Sequence, residues 1–409
     1  MTSMASTRLS CAHKCLQWCS ERRKAIPSSS SKDASTFTFL ESVKPFDHGV
    51  FDYGIGLKAA RDLSQGEQLC SLPTKWAWSC LVALTDPKIG SLLRRHEKKL
   101  RNDDMIAIHL ALHRYLGEES PWYHHIKVLP QSYDSLLFWS EKELAELEGT
   151  NTFHLAKKLQ KQVMNDYLEL VEMLVPLNED EADGDEDEDE DGDEKKKTNG
   201  SNNSEEEENM NNFFTYEYYS WALGTLWSRG HDFIRGKNEK FRCILPGIDL
   251  LNMATNNKEP NVEVRLSGNR VDLVSIEDVK EGDELRVVYN TNLPNNRLLH
   301  LHGFVVHPNN LSYVELYCDL SNSAPLYNEK MMILKDVYTP GVPFQLKLDD
   351  PIPTTLLFTL AVQRSATKGM YNLLQFVIIE EKIFLKFLII FLLLLFLLLF
   401  YCRGNDVNC

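Results

Sequence analysis

The chain of 409 residues lacks the short motifs that would name a chemistry outright. It has no glycine-rich phosphate loop ending in Gly-Lys-Ser/Thr, no Gly-x-Ser-x-Gly nucleophile turn and no His-Glu-x-x-His zinc helix, which removes nucleotide hydrolysis, serine-hydrolase and metalloprotease readings. No Cys-x-x-Cys pair occurs among its nine cysteines. Cys11, Cys15 and Cys19 sit four apart, on one side of a candidate helix, a spacing that suits neither a common zinc site nor a disulfide framework. Scattered thiols of this kind point to a reducing compartment, cytosol or nucleus. Basic clusters are equally scarce. Arg22, Arg23 and Lys24 are the only one, so the electrostatic footprint of nucleic-acid binding is missing. The first 40 residues lack the continuous apolar stretch of a secretory signal. They are Ser/Thr-rich and mildly basic, and residues 1–44 read as a disordered N-terminus, with an organelle transit peptide as the alternative.

What is present is uneven. The net charge is −15, yet residues 179–208 hold 17 Asp and Glu against three Lys. The rest of the chain is therefore nearly neutral, and the acid belongs to a single insert. With 43% hydrophobic residues the remainder can bury one or two sizeable cores. Phe387 to Cys402 carries no charge at all. At about 1.5 Å per residue this run is about 24 Å long, and extending it back to Ile383 across Lys386 gives about 30 Å, the thickness of a bilayer core. Two readings stay open for it: a C-terminal membrane anchor, or translated non-coding sequence in an imperfect gene structure, since it holds almost only Leu, Phe and Ile. A membrane enters only through this tail.

Along the chain, residues 50–78 read as small β-hairpins. Met105, Ile108, Leu112 and Leu116 recur at helical spacing behind Asp103 and Asp104, and Leu155, Leu159, Val163, Tyr167 and Val171 repeat every four residues. Residues 178–212 have almost nothing to bury and read as a disordered acidic loop. A helix resumes over 215–229. Val262, Val264 and Leu266 then alternate with polar residues up to the turn Ser267-Gly268-Asn269, with Val271 and Leu273 leading back. One internal echo links the two β-rich ends. Residues 62–69 and 278–285 share Asp, apolar, two polar, Gly, acidic, polar, Leu, which predicts one sheet system interrupted by a helical excursion of about 150 residues.

The chemistry-bearing candidates are individually soft. Tyr53-Gly54-Ile55-Gly56-Leu57 is a Gly-x-Gly turn without the third glycine of a dinucleotide fingerprint. Asp249-Leu250-Leu251-Asn252 sets a carboxylate and an amide three residues apart, and alone it reads as a cap or turn. Tyr289 ends an apolar strand. His124-His125 and the His300, His302, His307 trio have no Cys or acidic partner at ligand spacing, so no metal site is expected.

Taken in order, these segments resemble the SET-domain protein methyltransferases. Gly54 to Asp62, Gly66-Glu67 and Leu72-Pro73 are similar to the opening of that domain. Ser120-Pro121-Trp122-Tyr123, Leu129-Pro130 and Phe138 to Leu144 resemble the helical insert of one subgroup, which includes the Rubisco large-subunit lysine methyltransferase and the actin-histidine methyltransferase. Pro246 to Asn252 resembles its strand leading to an Asn-His pair; Gly282 to Tyr289, Asn295 and Gly303-Phe304 resemble its closing motifs. The resemblance covers residues 45–375. It implies an α+β architecture, a β-rich SET fold at 45–310 with a helical insertion at about 80–230, followed by a partial helical C-terminal domain at 311–377 and the apolar tail at 383–402.

It also implies S-adenosylmethionine as methyl donor, held by Tyr53, Gly54, Ile55, Arg229, Asn252 and Met253. Tyr289 would be the catalytic tyrosine, Asp249 and His302 would face the substrate, and the acceptor would be a lysine of a non-histone protein. A histidine acceptor and a non-catalytic binding module are the alternatives. The sequence departs from the subgroup at Met253, where a histidine is usual, and at His302, where a tyrosine is usual. The first bears on adenine binding and the second on acceptor choice. The compartment implied is cytoplasmic or nuclear, with organellar or membrane-anchored placement as alternatives.

Overall fold

The computed structural model describes residues 2–24, 39–47, 54–174, 210, 212–236, 239–254, 259–288 and 293–364. The chain divides into two compact units, residues 1–308 and 309–409. The acidic run, Tyr53, Tyr289 and the apolar tail all lie outside the described residues. Among the described residues no helix is long and apolar enough to cross a membrane.

The first correction falls at the start. The N-terminal stretch expected to be disordered contains a helix of 23 residues, Thr2–Lys24, and a short turn of helix, Phe39–Ser42. Ala12, Cys15, Leu16 and Cys19 are buried along one face of the long helix. Their spacing of three and four residues makes that face a single apolar stripe, and the stripe joins the core of the β-rich region. The thiols here act as small apolar side chains.

The β-rich region of the first unit begins with β1 (Val43–Asp47) and β2 (Ile55–Ala59), an antiparallel pair with Val43 opposite Ala59. β3 (Gln68–Pro73) follows. After the helical insertion come the hairpin β4 (Gly230–Arg235) and β5 (Glu239–Ile244), the two-residue β6 (Asn252–Met253), the hairpin β7 (Val262–Ser267) and β8 (Arg270–Ser275), and β9 (Arg286–Val287). β8 lies between β3 and β7, and the tight turn between β7 and β8 is closed by Gly268 at φ 60°. Of the apolar strand expected to end at Tyr289, the described residues are ladder-paired at 286–287, where β9 runs parallel to β6.

The internal echo is a pseudo-dyad. Leu63 and Val279 exchange both backbone hydrogen bonds, at 2.8 and 2.9 Å. Asp62 Oδ1 accepts from the Glu281 N–H, and Asp278 Oδ1 accepts from the Gln65 N–H, both at 2.9 Å. The Ala59 N–H donates to the Asp283 carbonyl as Ser275 N–H donates to that of Glu67. Gly66 and Gly282 take the left-handed conformation that each turn needs, at φ 81° and 90°. Two β segments more than 200 residues apart thus fold onto each other through equivalent bonds.

The insertion packs around the helix Asn102–Leu116, buried on nearly every side from Asp104 to His113. Asp104 reaches back to the Arg101 N–H at its N-terminus. The helices Asn151–Leu174 and Tyr216–Arg229 cover it, the latter capped by Thr215. Leu174 and Met210, on either side of the acidic run, are both fully buried in this core. The second unit holds β10 (Tyr313–Leu316) paired with β11 (Phe344–Lys347), and helices Tyr327–Leu334 and Thr354–Arg364 around a small core of Leu334, Tyr338, Phe358 and Val362.

Candidate active site

Three segments meet at the parallel β6–β9 pair. Asn252 lies opposite Arg286 and Met253 opposite Val287, and the Ala254 N–H donates to the Val287 carbonyl at 2.9 Å. Asn261 pins β9 from the other side. Its Oδ1 accepts from the Arg286 N–H at 2.7 Å, and its Nδ2 donates to the Glu284 carbonyl at 2.8 Å. The third segment is the Gly54–Leu57 turn and strand, fastened by the Leu285 N–H donating to the Leu57 carbonyl.

Asn252 is held from below. Its Nδ2 donates to Glu284 Oε1 at 2.9 Å. A Cβ placed on Gly56 would lie 2.7 Å from that same Nδ2 and 2.8 Å from the Phe46 ring, so only glycine lets the strand come this close. Gly54 is at φ 67°, and a Cβ there would meet nothing within 4 Å. Met253 is half-buried.

Asp249 is placed differently from its expected role at the substrate. It sits in a 3-10 turn, Ile248–Leu250, with its side chain fully buried. Its Oδ2 accepts from His125 Nε2 at 2.9 Å, and Trp78 Nε1 donates to His125 Nδ1 at 2.8 Å. An indole nitrogen only donates, which fixes the imidazole tautomer along the whole chain. Arg229 Nη1 donates to the Asp249 backbone carbonyl at 2.7 Å and lies 3.7 Å from Oδ2. Burial alone would raise the Asp249 carboxyl; the hydrogen bond from His125, then Arg229 and His231, outweigh it and hold it below its ordinary value. Asp249 is thus a buried strut between the insertion and the strand that bears Asn252, and Arg229 is oriented by it.

His302 ends the helix Asn295–His302, capped by Gly303 in the left-handed conformation with Asp134 backbone packed against it. Burial pushes its imidazole down to about 4, against a hydrogen bond to the Ser228 backbone. Ser228 is the residue before Arg229 in the chain. His125, Glu284, Asn261 and Gly56 were not singled out from the sequence as site residues. Glu284 lay inside the second copy of the echo, the one available hint. His125 does have an acidic partner, but 124 residues away.

No protein-family model matches the chain. Among curated proteins it is 29% identical over 292 residues to the fructose-bisphosphate aldolase-lysine N-methyltransferase, chloroplastic, of Arabidopsis thaliana, covering 69% of this chain and 53% of that protein. It is 24% identical over 325 residues to the Rubisco large-subunit N-methyltransferase, chloroplastic, of Nicotiana tabacum (76% and 58% covered). To the actin-histidine N-methyltransferase of Mus musculus it is 24% identical over 336 residues (78% and 50%). The chain spans about half the length of the curated relatives it matches. Among solved structures, Rubisco LSMT bound to AdoMet aligns with a TM-score of 0.63 at 20% identity, over 89% of this chain and 76% of that one. The SET domain of LSMT bound to lysine and AdoHcy aligns with a TM-score of 0.61 at 20% identity, with the same coverage. The fold is that of the SET-domain methyltransferases. Within that class, the similarities fall in the subgroup of the Rubisco large-subunit and actin-histidine enzymes.

Proposed function

We propose that the chain is an S-adenosylmethionine-dependent protein-lysine N-methyltransferase acting on a non-histone protein. The observation that carries this reading is the β6–β9 pairing. It sets the Asn252 motif beside the Gly282–Tyr289 motif, with Tyr289 two residues past Val287. The turn at Gly54 and the glycine-only approach of Gly56 to Asn252 fit a ligand whose amino-acid end lies against backbone. The relatives' names add lysine acceptors on aldolase and an N-methyl group on Rubisco.

In this reading the donor supplies a methyl group made electrophilic by its sulfonium. Tyr53, Gly54 and Ile55 line the amino-acid end with backbone, and Asn252, held by Glu284, presents its amide to the amino group. Arg229 supplies positive charge for the carboxylate, oriented by Asp249. Met253 flanks the adenine. The Tyr289 hydroxyl would serve the methyl in transit, and His302 would shape the acceptor channel. A lysine acceptor must lose a proton from a reference pKa of about 10.4, which dehydration and a nearby cation favour. Positioning does most of the work in such an in-line displacement. None of the seven described cysteines forms a disulfide.

The test is methyl transfer from labelled donor to proteins of a cell extract, followed by mass spectrometry of the modified residue. A labelled lysine is expected, with Tyr289→Phe lowering the rate about 100-fold or more. The similarity to actin-histidine enzymes makes methylhistidine the second outcome. Absence of donor binding by calorimetry would leave a non-catalytic module and end the enzymatic reading.

A further inference from the structure

A second polar cluster lies inside the helical insertion and plays no part in the site above. His109 and His113 are one turn apart on the helix Asn102–Leu116, so their rings leave the same face. Asp86 comes from the segment between the helices Cys80–Ala83 and Gly90–His96. Its Oδ2 is 3.3 Å from His109 Nε2 and 3.0 Å from His113 Nε2, and the three atoms all lie within 4.8 Å of one another. We propose that Asp86, His109 and His113 form a divalent transition-metal site, with zinc the ion best matched to the donors.

The geometry supports this in three ways. Tetrahedral zinc bonds of about 2.0–2.1 Å separate neighbouring ligand atoms by about 3.3 Å, close to the two spacings found. The donors are also pre-set: the side chains of His109, His113 and Asp86 are 1%, 2% and 7% exposed. Outer contacts aim two of them inward. Asp86 Oδ1 accepts from the Lys88 and Ile89 N–H groups, leaving Oδ2 for the centre. Ser120 Oγ lies 3.0 Å from His113 Nδ1 and is itself fixed by the Trp122 N–H, which turns the His113 Nε2 to the centre. His109 has no such outer contact, its Nδ1 being buried without a hydrogen bond, and its one ring bond runs from Nε2 to Asp86.

Two imidazoles and one carboxylate form a donor set that suits zinc, with a fourth position for water. The Trp78 indole packs edge-on to both rings, at 5.0 and 5.7 Å, and keeps the surroundings apolar. The role assigned is structural. The ion would clip the Asp86 segment to the central helix of the insertion, adding to the hydrogen bonds and the apolar packing of Ala83 and Ile89 that already join them. Those same hydrogen bonds, with no ion, are the competing account.

The experiment uses the full chain, free of any affinity tag, stripped with a chelator and titrated with cobalt(II) and zinc. The expected result is about one ion per chain, the intense visible absorption of tetrahedral cobalt, and a rise in Tm with zinc that the chelator reverses. His113→Gln should abolish the cobalt band. Ser120→Ala keeps all three ligands and should weaken zinc binding about tenfold. That second variant keeps the test decisive if His113→Gln fails to fold. Failure of the wild-type chain to show a tetrahedral cobalt spectrum, or equal binding by wild type and variants, overturns the proposal and leaves a hydrogen-bonded trio. Methyl transfer is not read in any arm, so the outcome is separate from the proposed activity.

Discussion

At the scale of the residue, the buried Asp249 carboxylate shows how a side chain can serve a site it does not touch. Its charge is tolerated because His125 donates a hydrogen bond to it and Arg229 lies beside it. Removing one partner leaves a buried charge unanswered, so His125→Phe should cost about 3 kcal/mol or more. Urea unfolding checks this, and a loss below about 0.5 kcal/mol would remove the strut. Gly56→Ala makes the opposite kind of prediction. The new methyl collides with the Asn252 amide and the Phe46 ring, so donor affinity should fall about tenfold, or about 1.4 kcal/mol, in calorimetry. The histidines predict the response to acid. Burial depresses His302 to about 4 from 6.5 and lowers His231 and His300 as well. The unfolded chain takes up these protons first. Their contribution is whole above about pH 6.5 and is lost as pH falls toward the folded values. Tm should therefore drop between about pH 7 and about pH 5, and His302→Phe should flatten that drop.

At the scale of elements, the short parallel pair β6–β9 depends on Asn261 more than on its own ladder. A two-residue strand offers few backbone bonds, and Asn261 adds one to Arg286 and one to Glu284 from a 3% exposed position. Asn261→Ala should cost about 2–3 kcal/mol by leaving buried backbone groups unpaired. Donor binding should weaken in parallel, and unfolding and calorimetry on one sample test both. The helices at 102–116 and 216–229 and the hairpin at 262–275 were legible because their apolar spacing is local and strong. Of the apolar strand expected to end at Tyr289, β9 covers Arg286 and Val287 among the described residues. The N-terminal helix was read only as a candidate inside a disordered stretch because Ser, Thr, Arg and Lys dilute its Cys and Leu stripe, and the surface that covers the stripe comes from residues far along the chain.

At the scale of the whole molecule, the acid is confined to an insert whose flanks, Leu174 and Met210, are anchored in the same core. Replacing residues 179–208 by a short Gly-Ser link should leave Tm within about 2 °C and donor affinity unchanged, since loop length enters stability only logarithmically. The sequence by itself determined the periodic helices, the glycine turns, the location of the acid and the repeated Asp-to-Leu pattern, all properties written in neighbouring residues. Tertiary structure alone decided that the two copies of that pattern exchange equivalent bonds, that Glu284 holds Asn252, and that His125 meets Asp249 across 124 residues. Hydrogen bonds and burial are set by distance in space, and a linear order of residues carries that distance only where the chain turns back on itself within a few positions.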